Sequence, residues 1–159
     1  MDYINEIYKY LNKKFVKVIE GAEDWSTAVR ASMKILVDNG CVEERYVDGA
    51  IETCRNMGPY IAIAPGIAIP HARPEDGAKE VCLCFLIVRN GVYFGSENDP
   101  VHLLIGFSSP DRVAHLALIK ELAGLLINYG PRILDLAKSS IDESYFINGV
   151  LNMLALNNT

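Results

Sequence analysis

The chain has no run of basic residues longer than Lys13-Lys14, and 15 Lys and Arg against 20 Asp and Glu leave a net charge of −5. A nucleic-acid surface neutralises phosphates with clustered cations, so this balance argues against that class of partner and is compatible with a basic protein one. The longest strictly apolar run, Val81–Val88, has eight residues, whereas a bilayer-spanning helix needs about 20. The start Met1-Asp2-Tyr3-Ile4-Asn5-Glu6 lacks the basic-then-apolar order of a signal peptide. These absences predict a cytoplasmic protein that does not insert into a membrane. None of the four cysteines, Cys41, Cys54, Cys82 and Cys84, forms a C-x-x-C pair. Cys82 and Cys84 alternate along an apolar run, share one side of a strand, and read as small core residues. The three histidines show no H-E-x-x-H or paired spacing, and there is no Walker-type glycine loop. Neither a metal site nor a bound nucleotide is therefore expected. Repeats, low-complexity tracts and long linkers are missing too, so 159 residues predict one domain over 1–159.

What is present is a succession of short helical and extended patterns. Ile4, Ile7, Tyr8 and Leu11 recur at helical spacing in Tyr3–Lys14, and Phe15–Ile19 reads as a half-buried strand. Asp24 is a helix N-cap, with an apolar stripe through Trp25, Ala28, Val29, Met33 and Leu36 that stops at Asn39-Gly40. A second helix is predicted over Glu43–Met57. Between Gly58 and Gly77, tight loops separate the short extended pieces Tyr60–Ile63 and Ile67–Ile69. Val81–Val88 is continuously apolar, as a strand covered on both faces is. Asn90-Gly91 predicts a hairpin turn, and Val101–Phe107 a further strand. Ser109-Pro110 predicts a helix start, with the helix running to about Asn128. The segment Ile133–Ala137 follows, and a last helix spans about Glu143–Leu156. The expected fold is α/β, a single domain with a mixed sheet of about five strands and helices on both faces.

The most informative segment is Pro65-Gly66-Ile67-Ala68-Ile69-Pro70-His71-Ala72-Arg73-Pro74. Prolines before and after His71 stiffen the loop that presents it, which suits a side chain that must meet a reaction partner in one orientation. The six residues Gly66-Ile67-Ala68-Ile69-Pro70-His71 resemble the active-site signature of the enzyme IIA phosphocarriers of the sugar phosphotransferase system, mannitol/fructose family. Ala72-Arg73-Pro74-Glu75, Gly58-Pro59-Tyr60 and Gly91-Val92-Tyr93-Phe94 look more like its ascorbate-type branch. Mannitol-type chains tend to have glycine where this one has Ala72. The resemblance covers about residues 24–126.

The resemblance implies that His71 takes a phosphoryl group from the phosphohistidine of HPr and passes it to an enzyme IIB in coupled sugar uptake. A neutral imidazole nitrogen can act as in-line nucleophile, and its N–P bond stays reactive enough to hand the group on. His115-Leu116 matches the family's second histidine, implying that His115 donates to phosphoryl oxygens near a helix start. Arg55, sixteen residues before His71, matches an active-site arginine, although Asn56 replaces its usual acidic follower. Arg73 is a competing cation. His102 reads as a structural strand residue. The alternative function is a regulatory module of the nitrogen-type enzyme IIA kind, whose phosphorylation state acts on a partner protein. A zinc hydrolase built on His71 and His115 fits the spacing poorly.

Overall fold

A computed structural model of the chain describes residues 4–156. Four strands form one mixed sheet: β1 (Val16–Ile19), β2 (Ile67–Ala68), β3 (Cys82–Val92) and β4 (Val101–Ser108), in the spatial order β1-β3-β4-β2. The central pair β3–β4 is antiparallel, and each edge strand runs parallel to its neighbour. Helices α1 (Trp25–Asp38) and α2 (Arg45–Met57) cover one face of the sheet, and α3 (Arg112–Ser139) and α4 (Glu143–Leu156) cover the other. Alternate residues of β3 and β4 feed the two cores. Cys84 and Leu86 pack with Met33 and Tyr46, whereas Phe85 and Ile105 pack with Leu118 and Phe146. Burial on both faces explains why β3 is continuously apolar from Cys82 to Val88.

The mixed sheet between helices matches the expectation, with four strands among the described residues rather than about five. Tyr60–Ile63 is not a strand. Gly58 takes φ +60°, and Pro59 opens a 3₁₀ turn over Gly58–Ile61; the Ile61 carbonyl accepts from the Ile69 amide and the Ala62 carbonyl from the Asn98 side chain, with no strand ladder. The N-terminal pattern forms a 3₁₀ helix over Ile4–Tyr10, shorter than predicted. Asn12 closes it, donating to the Lys9 carbonyl and accepting from the Lys14 amide; Tyr3 lies outside the described residues. Asp24 caps α1 as predicted, through the Thr27 amide at 2.8 Å.

Three boundaries differ from the prediction. Asn90-Gly91 is not the hairpin turn: the β3–β4 register shifts between Ile87 and Val92, and the strand continues through Gly91. The reversal comes later, where the Asp99 carboxylate collects the amides of Phe94 and Ser96. Ser109 is not the N-cap of α3. Asp111 takes that place, accepting from the Ala114 amide at 2.8 Å, while the Ser109 hydroxyl donates to the Asp111 carbonyl. Finally, α3 does not stop near Asn128 but passes through Pro131 and absorbs Ile133–Ala137. Proline removes one helical bond, yet Leu122, Leu125 and Leu126 before it and Ile133 and Ala137 after it bury into the same core. Burial of that continuous stripe outweighs the missing bond.

Candidate active site

β2 is the shortest strand, and its placement governs the site. Gly66, at φ +75°, turns the chain into it, and the Gly66 carbonyl accepts from the amides of both His102 and Leu103. Ile67 and Ala68 then pair with Leu103 and Leu104 of β4. The parallel pairing makes both strands leave the sheet at the same end. His71 follows β2 there, and Phe107 lies at the end of β4, with Asp111 and α3 beyond it. The sequence separation between His71 and His115 is closed in this way.

The His71 ring is stacked on Phe107, centroids 4.6 Å apart and planes 25° apart. The His115 ring meets it edge-on at 5.2 Å and lies 5.5 Å from Phe107. His71 Nδ1 is 2.7 Å from the Ile69 carbonyl oxygen. A carbonyl only accepts, so Nδ1 carries the proton and Nε2 holds the free lone pair. His71 is 5% exposed. Burial pushes its pKa down to about 4; the Ile69 carbonyl opposes this shift and His115 adds to it. The ring is therefore neutral at neutral pH, the state a nucleophilic nitrogen requires. His115 is half-buried and its pKa is lowered, chiefly by burial, with Glu75 raising it and Arg112 lowering it further. Its Nδ1 is buried and has no hydrogen-bond partner among the described residues.

The cations are arranged otherwise. Arg55 extends along the surface of α2, 2.9 Å from Glu52, with its guanidinium 5.9 Å from the Trp25 ring centroid. The structure does not bring it to the His71 ring. Arg73 is exposed and bound to Asp76 and Glu75. His102 Nδ1 donates to the Val88 carbonyl at 3.1 Å, so this side chain braces β3 against β4. Cys84 is buried and free, as a core residue should be, whereas Cys82 is disulfide-bonded to Cys41. Cys82 is buried in the core as expected, but paired rather than free; forty-one residues separate the partners, and no local motif announces it.

Sequence reasoning missed two residues that hold the imidazoles. Phe107 reads as one more apolar strand position. Tyr46, fully buried on α2, bonds through its hydroxyl to Ala72 and to the Phe107 carbonyl. The only signal for Tyr46 is its place with Ala50 and Cys54 at a four-residue interval on a buried helix face.

Comparison with known proteins gives a consistent picture. The family model for the phosphoenolpyruvate-dependent sugar phosphotransferase system, EIIA 2, matches residues 9–140. The mannitol-specific cryptic phosphotransferase enzyme IIA component of Escherichia coli (strain K12) is 38% identical over 117 residues, 74% of this chain and 80% of that protein. The ascorbate-specific PTS system EIIA component of the same strain is 35% identical over 103 residues, 64% of this chain and 67% of that protein. The solution structure of the E. coli mannitol-specific cryptic enzyme IIA superposes with a TM-score of 0.75 at 32% identity, covering 94% of this chain and 98% of that one. The nitrogen regulatory protein IIA-Ntr from Neisseria meningitidis, at 18% identity and a TM-score of 0.71 over 91% of this chain and 98% of that one, shares the fold.

Proposed function

The chain belongs to the phosphoenolpyruvate-dependent sugar phosphotransferase system EIIA 2 family, and from that premise we propose that Nε2 of His71 accepts a phosphoryl group from phospho-HPr and passes it to an enzyme IIB. Members of this family are phosphotransferase phosphocarriers, and this chain is one of them. The observation that carries the assignment to His71 is its fixed tautomer: Nδ1 is tied to the Ile69 carbonyl, so Nε2 is the nitrogen with a lone pair to give.

In the forward step the Nε2 lone pair forms an N–P bond as the donor's N–P bond breaks, and that electron pair returns to the donor imidazole. The phosphoryl group passes through a flattened arrangement with charge on three equatorial oxygens. His115 donates to one of them, and the positive end of α3 adds to the attraction. Arg55 is the third proposed donor. To take part it must leave Glu52 and Trp25, and exposed contacts of that kind hold a side chain only weakly. Transfer to enzyme IIB repeats the step in the opposite sense. The group rides on the ring itself, so the exchange as written needs no cofactor. The cytoplasmic setting belongs to the same proposal; no helix among the described residues is long and apolar enough to cross a membrane.

The test is incubation with phosphoenolpyruvate, enzyme I and HPr. One phosphoryl group per chain should appear on His71, lost in acid and kept in alkali. An acid-stable label, or undiminished labelling of His71→Gln, would overturn the assignment.

A further inference from the structure

One face of α2 holds the backbone just after His71. Tyr46, Ala50 and Cys54 are all buried along it. The Tyr46 hydroxyl accepts from the Ala72 amide at 3.1 Å and lies 2.9 Å from the Phe107 carbonyl and 3.2 Å from the Ala72 carbonyl. With one proton to give, it serves the nearer Phe107 oxygen. Burial pushes its pKa above the ordinary phenol value, so that proton is always present.

Those partners are not arbitrary pieces of backbone. Ala72 follows the nucleophile, and Phe107 carries the ring on which His71 is stacked and against which His115 is tilted. A single hydroxyl thus joins the two segments that bear the two imidazoles. We propose that Tyr46 is a positioning residue for phosphoryl transfer, its hydroxyl setting the distance and tilt of His71 on Phe107 and thereby the approach of His115. This rests on His71 being the phosphoryl acceptor. Without the hydroxyl, the Ala72 amide and the Phe107 carbonyl lose a buried partner, and the loop must shift to recover one. A displacement of about 1 Å at a reacting group costs on the order of 100-fold in rate.

Tyr46→Phe keeps the ring and removes only the hydroxyl. Single-turnover phosphorylation by phospho-HPr, at a temperature where circular dichroism shows parent and variant folded, should give a maximal rate about 10–100-fold lower. The half-saturating phospho-HPr concentration should stay within about twofold of the parent's, because the docking surface is untouched. A second readout needs no transfer at all. In ¹⁵N NMR of the unphosphorylated protein, the parent His71 should show a protonated Nδ1 and a bare Nε2, and Tyr46→Phe should mix the two tautomers. A parent-like rate with an unchanged His71 spectrum overturns the proposal, as does a rate loss that merely tracks the unfolded fraction. Should Tyr46→Phe fail to fold, Phe107→Leu removes the plate that the hydroxyl positions and must give the same loss and the same spectral change; a parent rate there overturns the proposal. Labelling of His71→Gln would instead overturn the acceptor assignment, leaving the spectral arm to stand on its own.

Discussion

His71 is held neutral by its surroundings, and this has a measurable thermodynamic consequence. Its pKa is about 4 in the fold against 6.5 when exposed. Between those values the unfolded chain binds a proton that the folded chain does not, so stability falls as pH drops from 6.5 toward 4. The loss totals about 3 kcal/mol, and above pH 6.5 the group contributes no slope. Urea midpoints for the parent and His71→Gln across that range should diverge accordingly; parallel curves would contradict the burial argument. His115 shows the opposite response to loading. A phosphoryl dianion beside it favours the imidazolium, so its pKa should rise on phosphorylation, visible in its ring-proton titration. His115→Ala removes the proposed donor to the phosphoryl oxygens and should slow transfer by about 10²–10³-fold. Arg55→Ala tests whether that guanidinium leaves Glu52 and Trp25 during the step: slowing of similar size places it on the phosphoryl group. His102→Ala, which loses only a bond to Val88, should react at nearly the parent rate in rapid-quench measurements.

Among the elements, β2 has the most influence for its size. Gly66 occupies the left-handed region at φ +75°, and a Cβ there would run into the Leu134 side chain. Gly66→Ala should therefore destabilise the fold by about 1–3 kcal/mol and loosen the loop that presents His71, measurable as a lower thermal midpoint. The elements also mark what could be read in advance. Asp24, the apolar stripe after it and the Pro70-His71 turn are local signals, and each was legible because the deciding partner lies within a few residues. Pro131 misled because its local penalty is overridden by leucines packing at a distance. Asn90-Gly91 misled because Asp99, eight residues further on, builds the competing turn. At the site, His71 was legible from its own segment. Tyr46 and Phe107 were not, since 61 residues separate them and only the folded sheet brings them together.

For the whole molecule, the Cys41–Cys82 bond closes a long loop that contains α2, β2 and His71. Cross-linking such a loop restricts the unfolded chain, and its reduction should lower stability by about 2–4 kcal/mol. Urea titrations with and without reductant would show this, and a Cys41→Ser, Cys82→Ser variant should match the reduced protein. An unchanged midpoint would mean that the two thiols are not paired in solution. The way His71 is enclosed has a kinetic consequence at the same scale. One face of its ring is covered by Phe107, one edge is met by His115, one nitrogen is occupied by Ile69, and 5% of the residue reaches solvent. Donor and acceptor proteins must then enter by the same opening, and no ternary assembly can bridge them. Exchange through this carrier should follow a ping-pong order, with unphosphorylated enzyme IIB inhibiting loading competitively against phospho-HPr, so that the flux depends on how fast each visitor leaves.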